Sequence, residues 1–319
     1  MTHPTRSIRV RPARLFAAET FCALGLPLRV ESNSPRVLAI AAGSFGPPAA
    51  LDGEPVASVH VHVRPAWAGD GEGPVSHTVP RRDLLLLSGP GCRGYADTVR
   101  REAVVEVGED LLEDAAHFRS GVLEALALFL LARLDRDPLH AAAVARGNNA
   151  LLLAGPSGVG KSTLVYAASR AGLRVLAEDA VYLQLDPFRA WGMPRRVHLL
   201  ADTARFFPEL SQIRPGRQFN GKTKLAVDVL GAGASDAIPM ADRAGLCLLA
   251  RGEAPGVERL APDAAVAALT AAPEPGFDLY ADSVGARVCR VAEQGAWRMV
   301  LPPHPADAIP MLHRMFDAL

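Results

Sequence analysis

Lysine is nearly absent from this chain of 319 residues: Lys161, Lys222 and Lys224 are the only three, and the other 31 basic residues are arginine. A coding bias alone can produce that skew, so it excludes nothing, but it makes each lysine a position to explain. Net charge is absent too, with 34 basic residues against 34 acidic ones. The chain therefore projects no global field, and neither nucleic acid nor an anionic membrane is expected as a partner. Cysteine is sparse. Cys22, Cys92, Cys247 and Cys289 stand far apart, no pair has zinc-site or redox spacing, and the expectation is buried thiols in a reducing compartment. Long apolar runs are missing as well: no stretch reaches the roughly 18 apolar residues of a membrane span, and the longest, 122–134, holds Glu124 and Arg133. The N-terminus is basic (Arg6, Arg9, Arg11, Arg14), but Glu19 interrupts the apolar run behind it. No signal peptide is expected, and the expected location is cytoplasmic. What is there is ample apolar content, 49%, enough to bury the core of one large or two modest domains.

The first third reads as short strands over 37–41, 56–63, 78–79 and 101–107, separated by Pro- and Gly-rich stretches such as 43–48 and 69–74. Strand 56–63 alternates and puts His60 and His62 on one face; nothing nearby completes a metal site, so this is read as a half-exposed strand face. Over 111–134 the apolar spacing turns helical, and Pro138 ends the run. Strands at 140–145 and 150–154 follow, joined by a hairpin turn at Arg146-Gly147-Asn148-Asn149. A glycine loop, a helix ending at Gly172 and a strand at 174–177 come next. The tail reads as strand 246–250, helix 262–270, strand 286–291 and helix 306–319, with Pro262 suited to the first position of its helix. This order predicts an α/β fold: a strand-rich α+β domain over 1–116 and a P-loop domain over 117–319.

Residues 155–162 read GPSGVGKS, which satisfies G-x-x-x-x-G-K-[ST] at every fixed place. Glycines let backbone N–H groups turn inward around phosphate oxygens, and the helix that opens at Lys161 adds its positive end. Gly155, Ser157, Gly158, Val159, Gly160 and Thr163 are the candidate loop contacts to a nucleotide. Lys161 suits the β- and γ-phosphates, and the Ser162 hydroxyl suits Mg²⁺. The motif follows an apolar strand and opens a helix, as its chemistry requires. The next strand ends in Glu178-Asp179, at the place expected for a Mg²⁺ ligand beside such a loop. One acid can hold the metal while the other takes a proton from an attacking hydroxyl. Adjacent like charges raise each other's pKa unless a cation sits nearby, which favours a metal site. His140, on the strand two before the loop, reads on its own as a satisfied core residue.

Residues 139–183, LHAAAVARGNNALLLAGPSGVGKSTLVYAASRAGLRVLAEDAVYL, resemble the catalytic domain of HPr kinase/phosphorylase, which is related in fold to the ATP-dependent phosphoenolpyruvate carboxykinases. The shared elements are a His strand, a GxSGxGKS loop, a helix ending in Gly and a strand ending in two acids, in that order. The resemblance implies a P-loop kinase fold of that type, with ATP and Mg²⁺ as cofactors and a serine of a small protein or peptide as acceptor. It assigns His140 to the active site, Lys161 and Ser162 to phosphate and metal, Glu178 as base and Asp179 to the metal. The family favours homo-oligomers. Two departures stand out: Glu178 replaces the first Asp of the family's pair, and Thr163 replaces the acidic residue after the loop serine. No copy of the downstream phosphorolysis signature is present. The pattern is therefore similar to kinase-only relatives found with peptide natural products, including lasso peptides. A nucleotide-binding regulatory module with slow ATPase activity and a small-molecule kinase remain alternatives.

The other two lysines fall in Arg217-Gln-Phe-Asn-Gly-Lys-Thr-Lys, ahead of a strand at 225–229. If that segment is extended, Lys222 and Lys224 share one side. With Arg217 they form a candidate cationic loop that closes on a triphosphate, with Gly216 and Gly221 as hinges.

Overall fold

The segment expected as a strand at 37–41 is a helix, α1 (Pro35–Phe45), in the computed structural model. That structure describes residues 17–50, 53–65, 67, 75–193, 196–218, 221–229, 239–271 and 277–319; the basic residues at 6–14, the stretch 69–74 and the Arg217 side chain lie outside what it describes. Pro35 sits in the first turn, where its missing N–H costs nothing, and Val37, Ala41, Ser44 and Phe45 bury one face at helical spacing. Around it stand β1 (Ala17–Ala23), β2 (Leu26–Ser32), β3 (Ala57–Arg64), β4 (Ser76–Arg81), β5 (Leu84–Gly89), β6 (Cys92–Asp97) and β7 (Glu102–Gly108). They form a seven-stranded sheet in the order β1-β2-β3-β7-β6-β5-β4. The pairs β2/β3 and β3/β7 are parallel and the rest antiparallel.

One continuous helical run spans 115–132: α2 (Ala115–Phe118), a π-helical stretch (Arg119–Glu124) and α3 (Ala125–Ala132). By length and mean composition it is long and apolar enough to cross a bilayer, although Arg119 and Glu124 interrupt its apolar residues. Its position accounts for its character. Phe118, Val122, Leu123, Leu126, Ala127 and Leu131 are fully buried, and α3 packs on β3, β6 and β7. A helix apolar nearly all round is what a core helix covering a sheet face requires. The run thus joins the core of the first sheet, although most of its sequence falls after residue 116.

The remaining strands are β8 (Asp137–His140), β9 (Ala142–Arg146), β10 (Asn149–Ala154), β11 (Arg174–Ala177), β12 (Ala180–Gln184), β13 (Arg189–Trp191), β14 (Arg196–Leu199), β15 (Gly216–Arg217), β16 (Thr223–Asp228), β17 (Met240–Ala241), β18 (Arg243–Ala250), β19 (Gly256–Arg259) and β20 (Ala296–Val300). A six-stranded sheet, β11-β9-β10-β18-β20-β19, carries the second core, with β10, β18 and β20 parallel. The β9–β10 hairpin turns at Gly147-Asn148, as the sequence suggests. On one face lie α4 (Lys161–Arg170) and α7 (Ile309–Asp317); on the other lie α5 (Pro262–Thr270) and α6 (Ala281–Gln294). The result is a mixed α/β architecture with helices on both faces of the sheet. A four-stranded sheet, β17-β13-β12-β8, and a three-stranded one, β14-β16-β15, flank it.

Two sequence expectations are corrected here. The strand at 286–291 is part of α6, where Val284, Val288, Val291 and Ala292 are buried at spacings of four, three and one; β-branched residues in a short window imitated a strand. The strand at 140–145 is two strands. β8 pairs with β12 in the four-stranded sheet and β9 with β10 in the six-stranded sheet, and the chain changes sheet at Ala141.

Candidate functional site

The chain changes sheet twice at the same place. Opposite Ala141, β11 of the six-stranded sheet ends at Ala177, β12 of the four-stranded sheet begins at Ala180, and Glu178-Asp179 forms the crossing. His140 pairs in register with Ala180, which sets its ring beside the acids. The glycine loop leaves β10, the neighbour of β9, and so enters the same gap. Backbone ladders, not side chains, thus bring 140, 155–162 and 178–179 together.

The loop has the backbone its glycines allow. Gly155, Gly158 and Gly160 adopt φ of 153°, 81° and 120°. A Cβ at Gly155 would lie 2.9 Å from the Leu249 carbonyl, so a side chain there is excluded on steric grounds as well; at Gly160 it is the backbone angle that disfavours one. Val159 is buried under the loop, while Ser157 and Gly158 are exposed at its crest. Arg251, just past β18, donates from Nε to the Val159 carbonyl at 2.9 Å and braces the loop from behind. Lys161 is buried at 8% exposure, and its Nζ donates to the Gly155 carbonyl at 2.7 Å. The ammonium therefore spans the loop from inside. Ser162 and Thr163 follow in the first turn of α4, both partly exposed.

The acid pair divides by environment. Glu178 is mostly covered and accepts from Ser162 Oγ at 3.2 Å; its other oxygen lies 2.8 Å from His198 Nδ1. Asp179 is 72% exposed and lies 3.6 Å from His140 Nδ1. The His140 ring also stacks at a tilt on Phe277, with centroids 5.2 Å apart. Behind the pair, burial, followed by the neighbouring Tyr280, Glu124 and Asp179, pushes the Tyr182 phenol far up, so it stays protonated.

The donor set fits a hard cation. Ser162 Oγ and the Glu178 carboxylate are oxygens within 3.2 Å of each other beside the glycine loop. Mg²⁺ is held by one or two carboxylates and completes its shell with phosphate and water. Among the described residues no group of three or more His, Cys, Asp or Glu side chains gathers as a metal site.

Two recesses open nearby, one lined by both acids and the other by His140. One, of about 190 Å³, lies against the first sheet's helical run and is lined by Arg119, Glu124, Arg196 and His198 as well as both acids. The other, of about 440 Å³, opens at His140, Gly155 and Pro156 and runs back between β18, α5 and α6. The basic loop resolves into a hairpin: Gly216 pairs with Lys224 and Arg217 with Thr223, and Gly221 turns it at φ 78°. In β14 and β16, Val197, Leu199 and Leu225 face the core. The opposite parity carries His198, Ala226 and Lys224 on one face, the face that meets Glu178. Lys222 lies just outside the strand and is exposed.

Sequence reasoning missed His198, Arg251 and Phe277. They come from distant strands and loops with no local motif; β14 was not anticipated as a strand at all.

No protein family matches the chain, and no curated protein matches it. Among solved structures the chain is similar to the HPr(Ser) kinase/phosphatase from Coxiella burnetii, at 11% identity and a TM-score of 0.32, over 56% of this chain and 93% of that chain.

Proposed function

We propose that this chain is an ATP-dependent kinase that transfers the γ-phosphate to a hydroxyl, a serine of a small protein or peptide, with ATP and Mg²⁺ as cofactors. The observation that carries this reading is the contact of Ser162 Oγ with Glu178 at 3.2 Å at the end of a full phosphate-loop motif, with Asp179 and His140 alongside. A loop that only binds a nucleotide has no need of a second, exposed acid held beside a histidine.

The geometry favours a particular division of roles. Glu178, tied to Ser162 and His198, belongs to the metal side with Ser162. Asp179, exposed and next to His140, belongs to the acceptor side. This reverses the order implied by the family resemblance, in which the first acid is the base. Ser162 and Glu178 would hold Mg²⁺, which would supply neutralisation of the charge that develops on the transferring phosphate. Lys161 exchanges its Gly155 carbonyl for phosphate oxygens, and the loop N–H groups hold the rest of the chain of phosphates. Asp179 takes the seryl proton as the serine O–P bond forms and the bond from the γ-phosphorus to the β–γ bridging oxygen breaks; ADP leaves. His140 keeps the Asp179 carboxylate aimed at the hydroxyl. The exposure of Asp179 also favours a second reading, in which water is the acceptor and the chain is a slow ATPase serving as a regulatory module.

The test separates the two acids. Asp179→Asn should lower transfer about 100-fold or more with nucleotide affinity unchanged. Glu178→Gln should raise the Mg²⁺ concentration needed for half-maximal rate. Full transfer by Asp179→Asn would remove this assignment.

A further inference from the structure

The larger recess is poorly matched to a nucleotide and well matched to something else. Its walls are apolar: Leu248, Leu249, Leu269, Phe277, Val284 and Val288 supply most of them, and among the described residues no Lys, Arg, Asp or Glu lines it. Its volume, about 440 Å³, is in the range of small-ligand pockets. Among the described residues the side chains that can hydrogen-bond along it are His140 and Thr270, and His140 stands at the mouth, beside Asp179.

The direction of the phosphates decides which substrate meets it. Lys161 and Ser162 mark the β- and γ-phosphates, and Glu178 marks the transferring end. The nucleoside must leave in the opposite sense, past Gly160 and Thr163, where a separate small recess is bordered by Phe206, Arg251 and Pro303. The apolar cavity instead begins at the first residues of the loop, Gly155 and Pro156, on the side of His140, whose ring lies 3.6 Å from Asp179. Whatever fills it reaches the phosphorus from the acceptor side.

We propose that this cavity receives an apolar side chain of the acceptor, so that the phosphorylated serine is adjacent in sequence to a large apolar residue such as Leu, Ile, Met or Phe. This rests on the kinase reading above and narrows its substrate class. Burying the apolar group fixes the hydroxyl against Asp179, so the binding energy orients the reacting group. It also covers Asp179 on this side and reduces access of water as a competing acceptor. A charged neighbour of the serine would be stripped of water here without a partner, which gives the site its discrimination.

The experiment uses the full chain with γ-labelled Mg·ATP and blocked peptides Ac-Ala-X-Ser-X-Ala-amide, in which X is varied. Transfer and peptide binding in the presence of a non-hydrolysable ATP analogue are read in parallel. Apolar X should exceed Gly, Asp and Lys by about tenfold or more in kcat/KM. Ala268→Trp, at the exposed rim of the cavity on α5, should erase that preference and raise the peptide KM, with nucleotide affinity and melting temperature unchanged. Leu269→Ala, which enlarges the cavity, should move the preference toward Phe and Trp. Transfer that ignores X, or a preference that survives Ala268→Trp, overturns the proposal and leaves the kinase reading intact. Label accepted only by a free lipophilic alcohol such as decanol overturns it and the peptide half of that reading. Neither binding nor transfer with any peptide or alcohol, while Mg·ATP still binds, overturns both.

Discussion

Replacing Lys161 by Met isolates what the buried ammonium does. The side chain is 8% exposed, so its stem is already packed, and Met preserves most of that apolar contact. The charge is lost together with its 2.7 Å bond to the Gly155 carbonyl. Without nucleotide, that loss is offset because a buried ammonium no longer has to be desolvated, so stability should change by about 1 kcal/mol or less. With nucleotide the balance differs. Each hydrogen bond from a charged group contributes about 1.5–3 kcal/mol, and Lys161 is placed to make two to phosphate oxygens. Losing about 3–5 kcal/mol raises the dissociation constant for Mg·ATP by about 100-fold or more. Titration with a fluorescent ATP analogue reads the affinity directly. Thermal unfolding reads it independently, because ligand at 100 times its dissociation constant stabilises the fold by about 2.7 kcal/mol, and that gain should vanish in the variant. A Lys161→Met protein that folds normally and binds Mg·ATP within threefold of the parent would refute the reasoning.

Four further outcomes follow from the same geometry. Gly192→Ala should destabilise the fold by about 3 kcal/mol, since the added Cβ would lie 1.7 Å from the Leu176 carbonyl on the strand leading to Glu178; an unchanged melting temperature would contradict that packing. Lys222→Ala with Lys224→Ala should lower transfer about tenfold or more with little effect on nucleotide affinity, because Lys224 shares the face of His198; no change would mark both as ordinary surface. Burial pushes the Cys92 thiol up to about 11 and Cys247 to about 12, so a thiol reagent at pH 8 should label exposed Cys289 first and reach these two only on unfolding. The unfolded chain releases those protons near pH 9 while the native one holds them to about 11 or 12, so stability measured by denaturant should fall as pH rises above about 9.

The contrast between what could and could not be read from the sequence is physical. The loop at 155–162 and the pair Glu178-Asp179 were legible because their chemistry needs fixed residue types at fixed spacing. The hairpin at 146–149 and helix α5 were legible because turn residues and Pro262 act locally. Helices α1 and α6 were misread because short runs of Val, Ile and Ala satisfy two periods at once, and only packing against a sheet chooses between them. His198 was invisible because its partner Glu178 is 20 residues away and meets it only through a strand in another sheet. The change of sheet at Ala141, which turns an ordinary strand histidine toward Asp179, leaves no trace in residue pattern. The apolar cavity escaped for the same reason, since its lining comes from β8, the glycine loop, β18, α5 and α6, spread over more than a hundred residues.

The fate of the γ-phosphate tests the central claim most directly. The full chain is mixed with γ-labelled Mg·ATP and a pool of serine peptides, quenched over time, and the label on seryl oxygen is counted against label in free phosphate. The account predicts label on serine, lost in Asp179→Asn while the nucleotide still binds. Label released only as free phosphate, at the same rate in the parent and in Asp179→Asn, would contradict it.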